Sequence, residues 1–399
     1  MHHICLPFDS ETQYDACVND CGKYREFLTQ RFHQYPELFP RGFDAGFHFH
    51  ARYRLKKLNL FLRRIKVNST GKVFTIRPSF IMPYGTGRTD EVWKPLLLHA
   101  EGASLETLVE VFGHDLHYWE RMWLSLGRPS LVGTTVKDPE KIPANLVADE
   151  KITWQDGEEV LITTIASEGC FLGAAMARGE SAAELETAYG EFKAEVRKLA
   201  ENYTPESVCT DGFRSTRLAW LNLFPKAVLI LCFLHGILKI RERCRGELRE
   251  ETLTRAWHCY HARTRREFSQ RLRRLDEWAE QNLTGSALEM VKKLSFNRGR
   301  YTIAYEMPAA YRTTSAVDRL MNHQDRMLYA TCYLHGSDEK ARLNVRAKAL
   351  QWNFHTYSQR VRREDPARIS PFADLNGFVY HENWLHNLLI AASLGGHPT

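Results

Sequence analysis

Residues 146–177 read LVADEKITWQDGEEVLITTIASEGCFLGAAMA, and this stretch decides the fold. An apolar run carries Asp149 near its end. A Gln-Asp-Gly-Glu turn follows at 155–158, then the β-rich run Val160 to Ala166, a Glu-Gly break, and another apolar run from Cys170 to Met176. Short β-branched runs bounded by turn residues predict consecutive antiparallel strands. A carboxylate in a buried sheet is costly unless it is paired or binds a metal, so Asp149 is expected to serve chemistry.

The elements downstream extend the sheet. Ser181 to Asn202 predicts a helix opened by a Ser181/Glu184 capping box, with Leu185, Ala188, Tyr189, Phe192, Val196 and Leu199 as its apolar stripe. Glu206 to Thr210 reads as a short strand ending at Asp211-Gly212. Phe213 to Leu223 reads as a helix and Ala227 to Phe233 as a buried strand. The order β-β-β-α-β-α-β argues for a mixed α/β sheet.

From His235 to Arg300 the chain turns basic and reads as continuous helix, an insertion into that unit. Arg263, Arg265, Arg266, Arg271, Arg273 and Arg274 are its densest cluster. They form either a DNA-facing surface or an ordinary helix face paired at i, i+4 with Glu267 and Asp276. Thr313 to Thr331 is the next helix, with Asp318, Asn322 and Asp325 along one face. One more helix is expected from Glu339 to Asn353, followed by irregular chain.

Upstream, Ala51 to Val67 carries seven Lys and Arg, Arg63 and Arg64 among them, and no acid. The helical spacing of Tyr53, Leu58, Phe61, Leu62 and Ile65 predicts a basic amphipathic helix, suited to phosphate contact or to solvation. Ser104 to Phe112 and His114 to Leu126, turning at Gly113, read as a helical pair. They form either a helix-turn-helix with Arg121 as its base or a plain hairpin. Gly127 to Pro143 reads as a linker. Cys5, Cys17 and Cys21, with His2, His3 and His33, offer zinc ligands at a spacing outside the strong zinc patterns, or are isolated thiols.

The chain has 399 residues, a net charge of +6 and a pI near 8.8, which tilts toward an anionic partner. Nine scattered cysteines fit a reducing compartment. MHHICLPFDSETQ lacks the pattern of a signal peptide, and Ala227 to Leu234 is too short to span a bilayer. A soluble cytoplasmic protein is expected.

Asp149, Asp211 and an acid on the 313–331 helix make three carboxylates capable of holding two Mg²⁺ ions. At this point the sequence resembles a DDE-type insertion-sequence transposase of the Mutator-like group, with an RNase H-like core. ADEK around Asp149, VCTDGF around Asp211, the Cys-x2-His pair Cys232/His235 and TTSAVDRLMN around Asp318 carry the resemblance, which covers about Leu146 to Thr331. It implies catalytic and metal-binding roles for Asp149, Asp211 and Asp318 with Mg²⁺ or Mn²⁺. It also implies terminal inverted repeats and target DNA as partners, a homo-oligomer, and a prokaryotic, nucleoid-associated setting.

The family's third acid is usually Glu; here it is Asp318, with Asp325 and Glu306 as alternatives. Cys232 and His235 read as support near the active site, as core packing, or as half a zinc site with His258 and His261. Arg63, Arg64, Arg121, Arg265, Arg266, Arg273 and Arg274 are the candidate DNA contacts. The expected organisation is a basic N-terminal region (1–68), a mainly helical DNA-binding region and linker (69–140), and the first part of the core (141–235). A helical insertion (236–305), the last core helix (306–335) and a C-terminal region (336–399) follow. A nuclease that only cuts and a catalytically inactive DNA-binding descendant are the rival readings.

Overall fold

A computed structural model describes residues 3–85 and 87–397. The chain is mixed α/β with two mixed sheets and many helices. The N-terminal part holds β1 (His3–Leu6), α1 (Glu11–Asn19), α2 (Cys21–Gln34), β2 (Phe47–Leu55), β3 (Leu60–Val67) and β4 (Val73–Pro78). The strands form a sheet in the order β1-β4-β3-β2, with β1 parallel to β4 and the other pairs antiparallel.

The basic helix expected at Ala51 to Val67 is therefore a β-hairpin. Two causes outweigh the helical spacing. Asn59 turns the chain with φ 50°, and β3 gains a second partner in β4, which lies just beyond the 51–67 run. The arginines lie on rings of the same hairpin: Arg52 over Phe61 at 4.8 Å, Arg63 over Phe49 at 4.8 Å and Arg64 over Tyr53 at 4.9 Å.

Next come α3 (Thr89–Ala100), α4 (Leu105–Phe112), α5 (Leu116–Leu126) and α6 (Leu131–Thr135). The α4–α5 pair is as expected. Its second helix, however, buries Tyr118, Trp119, Met122 and Trp123 and leaves Arg121 exposed. The expected linker is instead packed inside: every residue of α6 is buried. A linker needs free backbone, but here the carbonyls of Gly127 and Pro129 accept from the buried Arg346 guanidinium at 3.0 and 2.8 Å.

The central sheet comprises β5 (Asn145–Gln155), β6 (Glu158–Ser167), β7 (Cys170–Ala177), β8 (Ser207–Thr210) and β9 (Val228–Leu231), in the order β7-β6-β5-β8-β9. The first three are antiparallel neighbours; β8 and β9 run parallel to β5. Both hairpins close in two residues with positive φ: Asp156 (51°) with Gly157 (86°), and Glu168 (50°) with Gly169 (77°). Such turns match the right-handed twist of paired strands and fix their register.

One face of the sheet, bearing Leu146, Ala148 and Leu172, packs on α7 (Ala182–Leu199) and α8 (Arg214–Leu223). The capping box of α7 is complete, with Ser181 and Glu184 each bonding the other's backbone. That arrangement stabilises the helix start by about 1 kcal/mol.

The chain then runs through α9 (Phe233–Arg243), α10 (Leu248–Tyr260), α11 (Arg265–Asn282), α12 (Gly285–Phe296) and α13 (Arg298–Thr302). The expected continuous helix is thus five helices. It breaks where Gly246 takes φ 74° and where Thr264 caps α11. Folding back lets Ile237, Ile240, Phe268, Leu272, Leu275 and Leu294 share a separate apolar core, which one straight helix could not bury. Cys232 and His235 accordingly belong to the start of α9 rather than to a strand end.

Next is α14 (Ser315–Ala330). Its Val317, Leu320 and Leu328 pack with Val147, Val160 and Ile162 on the other face of the sheet. Last are α15 (Asp338–Phe354), α16 (Gln359–Glu364), α17 (Pro371–Asn376) and α18 (Trp384–Ala391), where irregular chain was expected after the first. α15 is buried nearly all round, so it shows no amphipathic stripe to flag its role. Its Asn353 accepts from the Phe171 N–H and donates to the Phe171 carbonyl, both at 2.8 Å, satisfying the edge of β7. Among the described residues no helix is long and apolar enough to cross a membrane.

Candidate metal centre

β5 pairs with β8 only over Asn145 to Val147. Beyond that point β8 ends at Thr210 and the chain turns at Asp211-Gly212, so the strands part just where Asp149 and Glu150 follow. Alternation along β5 sends these two side chains to opposite faces. Glu150 lies on the α7/α8 face, where Tyr189 Oη and Thr216 Oγ1 each donate to its Oε1 at 2.7 Å. Asp149 lies on the α14 face. Asp211, at the strand end between them, accepts from the Phe213 N–H at 2.7 Å. One ligand atom from each of Asp149, Glu150 and Asp211 lies within 4.8 Å of the others.

The electrostatics show an unbalanced site. Burial, helped by Glu150 and Asp211, pushes the Asp149 carboxyl up to about 7, against the pull of His235. Burial also raises Glu150, against the hydrogen bonds from Tyr189 and Thr216. Oxygen donors alone, clustered and short of positive charge, fit a hard divalent cation such as Mg²⁺ or Mn²⁺.

Beside the carboxylates lies a second polar group. Cys232 precedes α9 and is fully buried. The Thr314 N–H donates to its Sγ at 3.2 Å, and Thr314 Oγ1 lies 3.4 Å from that sulfur and 3.3 Å from His235 Nδ1. A hydrogen bond from Cys209, opposed by burial, draws the Cys232 thiol down, with His235 and Thr314 assisting. The hydrogen bond to Cys232 draws His235 up, with Asp149 and Asp211 adding to it. Each member of the pair thus favours the charged form of the other, at the edge of the carboxylate group.

Asp149 and Asp211 thus come together, as the sequence indicated. Asp318 does not enter the three-residue group. It is half-buried in the first turn of α14; burial raises its carboxyl, and its nearest influences are His235 and Cys232. Asp325 is ion-paired with Lys151, and Glu306 with Arg265, so both alternatives are occupied. Sequence reasoning missed Glu150, because alternation sets neighbours on a strand apart; the Asp-Glu dipeptide next to a strand end was the only signal.

No zinc set forms among the described residues, where the only group of three or more such ligands is Asp149, Glu150 and Asp211. Cys5 and Cys17 are buried in the apolar core, and Cys21 Sγ receives the Arg63 guanidinium at 3.0 Å. His2 lies outside the described residues. His258 and His261 are exposed.

Of the candidate DNA contacts, Arg64, Arg121, Arg265, Arg266, Arg273 and Arg274 are exposed. Arg63 is half-buried and bonds the Val18 carbonyl at 2.9 Å. Arg265 and Arg273 are engaged by Glu306 and Glu277. No protein-family model and no curated protein matches this chain.

Proposed function

We propose that the chain is a transposase of the DDE type, cutting and rejoining DNA with Mg²⁺ or Mn²⁺ on an RNase H-like core. One observation carries the reading: Asp149 and Asp211, far apart in sequence, meet with Glu150 at the point where two parallel strands diverge. The sheet order β7-β6-β5-β8-β9 supports it, being what the β-β-β-α-β-α-β succession of an RNase H-like core requires. The helical segment α9–α13 between the last strand and α14, and the Cys232/His235/Thr314 group beside the acids, lie where the resembling family carries them.

Asp149, Glu150 and Asp211 would hold the cation, and Asp318, on the helix that packs on the Asp149 face, would join them only if α14 draws closer. When bound, divalent cations acidify an attacking hydroxyl and neutralise charge on the leaving oxygen. The protein's own groups supply the frame. Tyr189 and Thr216 orient Glu150, the Phe213 amide orients Asp211, and Thr314 fixes Cys232 and His235. His235, whose pKa the neighbouring acids and Cys232 raise, would balance part of the carboxylates' charge when protonated.

The test is incubation of the full chain with Mg²⁺ or Mn²⁺ and DNA carrying its element's ends. Nicking followed by joining of the freed 3′ end is expected, and Asp149→Ala or Asp211→Ala should abolish both while leaving end-binding nearly intact. Cleavage without joining would make it a nuclease. End-binding that never leads to nicking would make it an inactive descendant. Cleavage that survives loss of Asp149 or Asp211 would overturn the carboxylate mechanism.

A further inference from the structure

A cleft of about 80 Å³ opens beside the carboxylates, walled by Asp211 on one side and by α9, α12 and α13 on the other. Lys239, Lys293 and Arg300 line it, with Asn297 and His235 between them. Asp211 is the sole carboxylate of the lining, and its Oδ1 is already taken by the Phe213 amide.

The three cations converge on this one cleft. On the same helical segment Arg265, Arg271, Arg273 and Lys292 each pair with a carboxylate. Among the described residues Lys239, Lys293 and Arg300 have no such partner, and the bond from Arg300 Nη1 to Asn297 Oδ1, at 3.3 Å, is to a neutral amide. Arg300 is half-buried. Its guanidinium gives up water and faces Arg217, and both effects lower its affinity for its proton. Asp211 offsets part of that effect, so three cations face one carboxylate across the cleft, and the surplus positive charge suits an anion from outside.

We propose that Lys239, Lys293 and Arg300 form a phosphate subsite, holding a backbone phosphate of the DNA strand next to the one being cut. The guanidinium fork and two mobile ammonium groups suit the oxygens of a phosphodiester, with the Asn297 amide as a further donor. The cleft adjoins Asp211, so a strand held there passes the carboxylates. The choice of DNA as the source of the phosphate rests on the transposase reading; the anion chemistry does not.

The experiment has two arms, both on the full chain. Binding of a short fluorescein-labelled DNA duplex with a single-stranded overhang is followed by anisotropy against salt, with Ca²⁺ in place of Mg²⁺ to suppress cutting. Melting is followed with and without inorganic pyrophosphate. Lys239→Gln/Lys293→Gln changes exposed residues, so its melting temperature without ligand should match the wild type; Arg300→Gln is the second variant. Both should bind DNA about tenfold more weakly, with a salt slope lower by about one unit per charge removed. Unchanged DNA binding with pyrophosphate stabilising only the wild type would make the cleft a site for free polyphosphate, overturning the strand assignment but not the transposase reading. Unchanged behaviour in both arms would overturn the subsite altogether. A wild-type chain that binds no DNA would overturn the function reading, and the strand assignment with it.

Discussion

Lys151 of β5 and Asp325 of α14 form an ion pair, two residues along the strand from Asp149. The pair ties α14 to the sheet on the face that carries Asp149, and it commits Asp325 to a structural contact. Val317, Leu320 and Leu328 supply the apolar part of the same docking.

Asp325→Asn should therefore leave Mn²⁺ binding within a few-fold of wild type. It should cost only about 0.5–1 kcal/mol of stability, since both partners keep some solvent exposure. Glu150→Gln should weaken Mn²⁺ binding about tenfold or more, since a ligand carboxylate is lost. Calorimetric titration of both variants checks this. Equal losses would return Asp325 to the site.

Cys232→Ala removes the largest cause of the raised His235 imidazolium. The His235 titration, read by NMR, should move down toward the ordinary histidine value near ~6.5. A group whose folded pKa is raised adds stability that is complete below its unfolded pKa and fades as pH rises through the folded one. Cys232→Ala also removes a thiol whose folded pKa is depressed, which adds stability that is present in alkali and lost toward acid; the two contributions oppose each other, so the His235 shift is the readout. Thr314→Val, which deletes the hydroxyl between the two, should shift His235 in the same direction by less.

Lys348 is fully buried in α15 and donates to the Ala100 carbonyl. Burial lowers its ammonium to about 7, with Glu101 opposing and Arg326 assisting. The unfolded chain binds this proton up to about pH 10, so between the two values the unfolded state holds more protons and stability rises with pH. Lys348→Met should stabilise the protein by about 2 kcal/mol near pH 6.5, and the gain should vanish toward pH 10. Denaturant melts across that range measure it.

Arg265 and Arg273 are held by carboxylates, whereas Arg266 and Arg274 are exposed with no ion-pair partner among the described residues. If α11 meets DNA, Arg266→Gln/Arg274→Gln should lower the salt slope of binding by about two units. Arg265→Gln/Arg273→Gln should lower it by less. Equal slopes for both doubles and the wild type would leave the α11 arginines as a solvated face.

Local chemistry was enough to place the central sheet. Asp156-Gly157 and Glu168-Gly169 allow the positive φ that two-residue hairpins need, so the three antiparallel strands follow from dipeptides and alternation. The Ser181/Glu184 cap, the α14 stripe, and Asp149 and Asp211 as chemical residues were legible in the same way. What neighbours in sequence cannot specify was settled by packing. The Ala51–Val67 run is a strand pair because β4 offers its edge to β3, a partner the helical spacing does not reveal. Arg346 and Lys348 are interior because α15 is enclosed by loops and helices from both ends of the chain. Glu150 joins the carboxylates, although alternation turns it from Asp149, because β8 ends at Thr210 and leaves Asp211 within reach of both faces. Alternation is a property of one strand. The place where two strands part is a property of the sheet, and that is what assembled the site.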